Sequence, residues 1–376
     1  MKIENREGRS GLRWFVLLLA FVVFALATSG QLAGQTSLPP TGTPEVQRPN
    51  PKGSDPNPEP ATNAILAAFD KHEVIAMSAA HGNKDLDDFI LQLIRNPVFP
   101  SKVNDVVVEC GNSFYQPILD RYVSGDDGLP FSDVQKAWRN TTQLMCGVSS
   151  FYEELFPVIR RINQKLPPER RLRVLAADPP VDWTTAESLS DIYAIDRDVS
   201  IASVMEKEVL SKHRKALMLF GIHHILHGGG YAVGLYEKDF PSVTLVIADH
   251  EGFFNFSPFS EYNGELEARM TSWPIPSLVQ NVKGTWLEDI DREYFSTRAD
   301  AYLYLGPRDL MLNEPAPAEV FLDKDYTTEL QRRAAMGKDR RLADMVNSQK
   351  IIEKQSNPFL YDPDELRKVL ESLTDK

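Results

Sequence analysis

Cysteine is scarce in this chain: Cys110 and Cys146 are the only two in 376 residues. They stand in neither a C-x-x-C pair nor a zinc-finger spacing, which excludes a disulfide scaffold and a structural zinc knuckle. A single disulfide remains open. Cys110 directly follows Glu109, and neighbouring residues of a strand point to opposite faces, which argues against a catalytic thiol paired with that carboxylate.

Basic residues are also fewer than acidic ones. Lysine and arginine number 41 against 53 aspartates and glutamates, giving a formal net charge of −12. No basic stretch is interleaved with aromatic residues, so the composition excludes nucleic acid as the expected partner, and an acidic chain is repelled by anionic lipid. A small molecule or a peptide is the partner we expect.

The sequence has no apolar run of the roughly 20 residues that a membrane span needs. Residues 14–27 form an apolar run of fourteen after a basic start, and they end in Ala-Leu-Ala. This layout predicts a signal peptide over residues 1–27, cleaved after Ala27, and export to the periplasm or the medium. An uncleaved N-terminal membrane anchor is the alternative. Gln35 stands where a lipobox has its cysteine, so no lipid is expected.

Several catalytic motifs are absent. The chain has no G-x-S-x-G elbow, no H-E-x-x-H, no Walker A lysine motif and no complete G-x-G-x-x-G. The triplet 228–230 is followed by Val233 where the last motif needs glycine or alanine, which favours a turn over a phosphate cradle.

Residues 73–125 contain the main positive signal. An apolar strand over 74–77 leads to His81, and a helical pattern follows until Asn96-Pro97 ends it. A second strand, 106–108, ends in Glu109. The interval of about thirty residues suits a right-handed βαβ crossover, so we expect His81 and Glu109 at the same carboxyl edge of a parallel sheet.

The remaining pattern predicts an α/β fold with a largely parallel sheet flanked by helices. Further strands are expected at 172–177, 216–220, 243–248 and 301–305. Residues 28–60 hold eight prolines and predict a disordered linker, so the folded body should span 61–322. In residues 323–376, 22 side chains are charged, which predicts a helical tail or a solvated cover.

Five predicted strands end in histidine or acid side chains. These are His81, Glu109, Asp178, His223 with His224, and Asp249 with His250. Each alone is more often a helix N-cap or a hydrogen-bonded residue, but together they predict a shared site. Imidazoles and carboxylates there can bind a divalent metal, or form a base oriented by an acid. Arg121 can pair with Glu109, bind an anionic substrate group, or form a surface salt bridge.

The motifs resemble those of the superfamily that joins erythromycin esterases, TraB and Tiki proteins, and haem-binding ChaN lipoproteins. The similar segments are 78–82, 107–109, 119–122 and 221–224. That superfamily characteristically carries two G-x-x-H elements with a glutamate between them. Residues 221–224 match the second element and select His224, whereas Ser78 replaces the glycine of the first. Ala79 and Ala80 supply no glutamate, which argues against macrolide-type esterase chemistry.

The resemblance implies an α/β fold with a pocket at the strand ends. It leads us to expect an exported metal-dependent hydrolase of an ester or peptide bond, in which His81, Glu109 and His224 hold the metal or activate water. Arg121 would orient the substrate, and Asp178 and His223 would assist in binding a cofactor. The alternative is a protein that binds haem or another small ligand in the same pocket.

Overall fold

The computed structural model describes residues 52–79, 81–251, 263–314 and 316–337. The predicted signal peptide, most of the predicted linker and the tail beyond residue 337 lie outside these ranges. Within them, no helix combines the length and the apolar character that crossing a bilayer requires.

The predicted α/β fold is confirmed: the described strands form one mixed, mostly parallel sheet. The strands are β1 (Glu59–Pro60), β2 (Val74–Ser78), β3 (Asp105–Asn112), β4 (Arg173–Asp178), β5 (Ala216–Phe220), β6 (Thr244–Asp249), β7 (Ser277–Val279) and β8 (Ala301–Tyr304). Their order is β1-β7-β8-β6-β2-β5-β3-β4. The six strands from β8 to β4 are parallel, and β7 and β1 extend the sheet with antiparallel pairing.

Helices cover both faces of this sheet. They are α1 (Ala61–Ala68), α2 (Lys84–Arg95), α3 (Phe99–Lys102), α4 (Gln116–Ser124), α5 (Phe131–Arg139), α6 (Ser150–Asn163), α7 (Leu189–Ile192), α8 (Arg197–Val204), α9 (Ile222–Ile225), α10 (Ala232–Tyr236), α11 (Asn263–Glu267), α12 (Trp286–Ile290), α13 (Arg292–Thr297), α14 (Ala318–Leu322) and α15 (Lys324–Gly337). Short 3₁₀ turns and one π turn connect several of them.

Two cores result from the period-two alternation of strand side chains. In β2, Ile75 and Met77 join the core that packs against α1 to α6. Val74 and Ala76 join the opposite core, which packs against α8, α10, α12 and α13. The strands are buried on both faces, as a parallel sheet between helices requires.

The crossover after β2 begins with a tight turn that presents His81. Gly82 has φ of 87°, a left-handed conformation that favours glycine. Asn83 then caps α2 by accepting the Leu86 amide at 3.0 Å. The connection ends in the parallel strand β3, but β5 lies between β2 and β3, so the two predicted strands are not neighbours.

The body begins earlier than the predicted boundary at residue 61. Residues 59 and 60 form β1 against β7, and the Lys52 and Gly53 amides donate to the Asp289 carboxylate. A Cβ at Gly53 would meet the Thr285 backbone at 2.3 Å. The proline-rich composition did not indicate that residues 52–60 pack on the body, because they are held there through their backbone hydrogen bonds, which need no apolar side chains.

The described part of the predicted tail is packed as well. Helix α15 buries Tyr326, Leu330 and Arg333 against the body. The Arg333 guanidinium lies 4.3 Å from the centroid of the Trp183 ring and donates to the Arg139 carbonyl at 2.7 Å. The charged composition of this helix therefore does not make it a solvated cover, because the Arg333 side chain packs against the body and its guanidinium forms hydrogen bonds there.

His227 links three segments at the amino-terminal edge of the sheet. Its Nδ1 lies 2.7 Å from Glu237 Oε2 and its Nε2 lies 2.8 Å from Asp300 Oδ2. Burial acts to lower the pKa of the imidazole, but the two carboxylates outweigh it and raise the pKa to about 9.

The contribution of His227 to stability should therefore depend on pH. The folded pKa exceeds the ordinary 6.5, so the contribution is fully present below pH 6.5 and is lost as pH rises through about 9. His227→Gln should lower the free energy of unfolding by about 1–3 kcal/mol at pH 6 and by less at pH 10. Urea titrations at both pH values measure the change. His213→Gln is the matched control, because that side chain is 84% exposed; equal losses in the two variants would contradict the prediction.

Candidate active site

Three of the residues singled out in the sequence meet at the carboxyl edge of the sheet. Glu109 lies in β3, His81 follows β2, and His224 follows β5, the strand between them. The Nε2 atoms of the two histidines each lie 3.8 Å from Glu109 Oε1. Parallel strands end at one edge, which is why residues so far apart in sequence converge.

Glu109 is the buried centre of this cluster, with 3% of its surface exposed. Oε1 accepts from Arg197 Nη2 at 2.7 Å, and Oε2 accepts from the Gly221 amide at 2.6 Å. Burial alone would raise the pKa of the carboxyl. The two imidazoles and the guanidinium outweigh burial and hold that pKa well below its ordinary value, so Glu109 is a carboxylate at neutral pH.

Gly221 belongs to the second G-x-x-H element, and its backbone amide donates to Glu109 Oε2 at 2.6 Å. A Cβ at this position would lie 3.4 Å from that oxygen, an ordinary van der Waals contact, so the contact itself does not require glycine. The chain then turns directly into α9, which carries His224.

Arg197, on the first turn of α8, connects two buried acids. Its Nε donates to Asp178 Oδ1 at 3.0 Å while Nη2 donates to Glu109. Asp178 also accepts from the Thr142 amide and hydroxyl, each at 2.6 Å. Burial raises the pKa of Asp178, and Arg197 and Thr142 only partly oppose it. The predicted site residue Asp178 thus lies in the network as the second partner of Arg197.

His224 is oriented by Asp198. Its Nδ1 lies 2.9 Å from Asp198 Oδ1, an oxygen that also accepts the Ala232 amide at 2.8 Å. Its Nε2 lies 3.3 Å from Arg197 Nη1. Since a guanidinium only donates, this arrangement assigns the proton of a neutral imidazole to Nδ1 and makes Nε2 an acceptor.

His81 is the most accessible member of the cluster, with 28% of its side chain exposed. Burial of the ring acts to lower its pKa, but the Glu109 carboxylate more than reverses this, and the pKa of His81 is raised above 6.5. The site thus presents one solvent-facing imidazole backed by a buried carboxylate, an arrangement suited to proton transfer.

Arg121 does not reach this edge of the sheet, contrary to the sequence-based prediction. It lies near the end of α4, where its Nη2 is 2.7 Å from Asp126 Oδ2 and its side chain is 58% exposed. The end of α4 packs near the start of β4, because Asn163 Nδ2 donates to both the Val123 and Leu172 carbonyls. A helix that follows a parallel strand runs back to the opposite edge, so Arg121 is carried away from Glu109.

His223 and His250, two other strand-end residues predicted from the sequence, lie in different environments. The His223 side chain is at the surface, with its ring centroid 6.5 Å from that of Tyr231, and the burial of part of the ring lowers its pKa. His250 is buried between Tyr302 and Glu267, and the Nε2 of His250 lies 2.8 Å from Glu267 Oε1. Buried contacts of this kind indicate a structural role for His250.

Sequence reasoning missed Arg197, Asp198 and Thr142. A signal for the first was present: Asp196 caps α8, and an arginine immediately after an N-cap opposes the helix dipole. An unfavourable charge at that position suggests a specific acidic partner. No local pattern identifies Thr142, which lies in a loop after α5 and reaches Asp178 only in the folded chain.

A divalent metal held by His81, Glu109 and His224 does not fit these contacts. Both oxygens of Glu109 already accept strong hydrogen bonds, and both ring nitrogens of His224 have partners. The Arg197 guanidinium, 2.7 Å from Glu109, would repel a second cation. The arrangement favours an ion-paired network over the predicted metal site.

Cys110 and Cys146 form a disulfide with Cα atoms 5.4 Å apart. Both are fully buried, and Cys110 joins the same core as Val106 and Val108, whereas Val107 joins the core on the opposite face of the sheet. A disulfide is typical of an oxidising, exported location, in agreement with the predicted export.

The fold and site define an α/β protein with a buried carboxylate and arginine network beneath an exposed histidine. Comparison with protein-family models finds no match, and neither does comparison with curated proteins. Among solved structures, the haem-binding ChaN of Campylobacter jejuni is similar at 13% identity and a TM-score of 0.32, over 50% of this chain and 85% of that one. A Bacillus cereus protein is similar at 11% identity and a TM-score of 0.39, over 70% and 96%. Likenesses at this level carry no conclusion about function.

Proposed function

We propose that this protein is a hydrolase of an ester or peptide bond in which His81 activates water. The observation that carries the proposal is the exposed His81 imidazole, whose Nε2 lies 3.8 Å from the buried Glu109 carboxylate. A carboxylate at this distance stabilises the imidazolium that forms when the ring takes a proton, which is the role of the acid in a base–acid pair.

The chemistry needs no group beyond the chain and water. Neutral His81 takes a proton from a water whose oxygen attacks the substrate carbonyl carbon. The tetrahedral intermediate then collapses, the bond to the alcohol or amine breaks, and the imidazolium returns its proton to the leaving group. The products are a carboxylic acid and an alcohol or amine. Glu109 stabilises the charged ring through both proton transfers.

Arg197 supports this reaction indirectly. It holds Glu109 as a carboxylate and fixes one of its oxygens 2.7 Å away, while the Gly221 amide fixes the other. A carboxylate restrained at both oxygens keeps its position when the imidazole beside it changes charge, which is the preorganisation that catalysis requires.

Haem binding is the alternative that the sequence suggested. An axial haem ligand must be accessible, and the exposure of His81 meets that requirement. Haemin titration distinguishes the two functions. A Soret band that shifts on addition of the protein and is lost in His81→Ala would favour ligand binding. Turnover without such a shift would favour hydrolysis.

The proposal predicts that His81→Asn lowers kcat/KM by about 10²–10⁴-fold toward whichever ester or peptide of a chromogenic panel the protein cleaves, because the general base is lost. The melting temperature should change little, since the side chain is partly exposed. His213→Asn is the matched control: it removes an exposed histidine whose backbone φ of 50° asparagine tolerates. Equal activity in the two variants would exclude His81 as the base.

A pH profile separates a base from a structural histidine. The neutral imidazole is the active form, so kcat/KM should rise with pH through the pKa of His81, which Glu109 raises above 6.5. Glu109→Gln removes the charge, so the pKa of His81 falls and the rise moves to lower pH while the plateau drops. An unmoved rise would show that Glu109 does not act on the catalytic base.

A further inference from the structure

A second set of possible metal ligands lies beside His81. An imidazole nitrogen of His81 and the sulfurs of Cys110 and Cys146 all lie within 4.8 Å of one another, the one such group of three among the described residues. Glu109 and Cys110 point to opposite faces of β3, and His81 reaches both because it lies beyond the end of β2.

We propose that the Cys110–Cys146 disulfide masks a soft-metal site, and that its reduction produces a His/Cys/Cys set that binds one Zn²⁺ or similar ion. Two thiolates and an imidazole are the ligands that zinc prefers, with water as the fourth. This set is separate from the predicted His81, Glu109 and His224 trio, and it does not depend on the proposed hydrolase activity.

The distances are compatible with a metal. Zinc bonds of about 2.0–2.3 Å place tetrahedral ligands roughly 3.5 Å apart. The imidazole nitrogen therefore needs to approach the sulfurs by up to about an ångström, whereas the two sulfurs, which are bonded to each other in the disulfide, must move apart once the S–S bond is broken. Glu109, 3.8 Å from His81 Nε2, can orient the ring as carboxylates do for metal-bound histidines.

The chemistry balances with a small dithiol as the reductant. It supplies two electrons and two protons to the S–S bond and leaves as its own disulfide, and Cys110 and Cys146 become thiols. Zn²⁺ then displaces the two thiol protons. Both cysteines are fully buried, whereas the His81 side chain is 28% exposed, so the ion should enter from the His81 side.

The test is a Co²⁺ titration of the full chain, oxidised and reduced, after the dithiol has been removed without oxygen. We expect one Co²⁺ per reduced chain with a thiolate-to-cobalt charge-transfer band, and no band in the oxidised chain. His81→Ala should raise the Kd more than about tenfold, since even outer partners of metal ligands are worth 10–100-fold. His213→Ala is the control and should bind as the unmodified protein does.

Circular dichroism and thermal melts of the reduced chain complete the test. Zn²⁺ should raise the melting temperature of the reduced protein and leave that of the oxidised protein unchanged, because an ion that binds the folded state stabilises it. Loss of the fold on reduction, absence of the charge-transfer band, or equal Kd values for His81→Ala and His213→Ala would each overturn the proposal.

Discussion

Arg197→Gln should lower the free energy of unfolding by about 3–5 kcal/mol, the usual cost of removing one partner of a buried ion pair. The change leaves Glu109 and Asp178, whose side chains are 4% and 0% exposed, without the cation that joins them. Activity should fall with stability, because Glu109 loses the donor that fixes Oε1. Urea denaturation and kcat/KM at a temperature where the variant stays folded measure the two effects separately.

Arg121→Gln is the control for that experiment. It removes the arginine that the sequence suggested, an exposed one paired with Asp126, and exposed pairs contribute about 0–1 kcal/mol. If Arg197→Gln and Arg121→Gln cost the same, Arg197 is not the counter-ion of the buried acids.

The loss in Arg197→Gln should also depend on pH. The folded pKa of Glu109 lies below its ordinary 4.5, so its stabilising contribution is present above pH 4.5 and is lost as pH falls through the folded value. The gap between the variant and the unmodified protein should therefore narrow in acid. In the double variant with Glu109→Gln, part of the loss should be recovered, because one uncompensated charge has been removed.

Removal of the disulfide by Cys110→Ala with Cys146→Ala should cost about 3–4 kcal/mol. The two cysteines are 36 residues apart, and a crosslink over a loop of that length restricts the unfolded chain by this amount in the chain-entropy description. Alanine avoids burying a hydroxyl in the core. Urea denaturation should show a lower midpoint, and the reduced, unmodified protein should resemble the variant.

Activity in the disulfide variant should fall as well. Cys110 follows Glu109 in β3, Cys146 lies in the segment after Thr142, and both sulfurs lie within 4.8 Å of a ring nitrogen of His81, so the crosslink supports the surroundings of the proposed base. A small loss of stability would indicate that α15 already holds this segment, through the bond from Tyr326 Oη to the Arg139 carbonyl at 3.1 Å.

Local sequence determined most of the secondary structure of this protein. The strand 216–220 was predicted with the bounds that β5 has, and Asn96-Pro97 marks the end of α2. Such features depend on side-chain periodicity and on the φ/ψ preferences of neighbouring residues, which act over a few positions. The same local rule assigned Glu109 and Cys110 to opposite faces of β3. The convergence of His81, Glu109 and His224 followed from parallel strands ending at one edge.

The tertiary structure alone decided which side chains surround Glu109. Arg197 is 88 residues away from it in sequence, and the residue that local reasoning suggested, Arg121, is carried to the opposite edge by α4. The docking of residues 52–60, the position of β5 between β2 and β3, and the pairing of Thr142 with Asp178 likewise have no local signature. Ion pairs and backbone hydrogen bonds between distant segments require only one donor and one acceptor at the right place, and the fold sets that place.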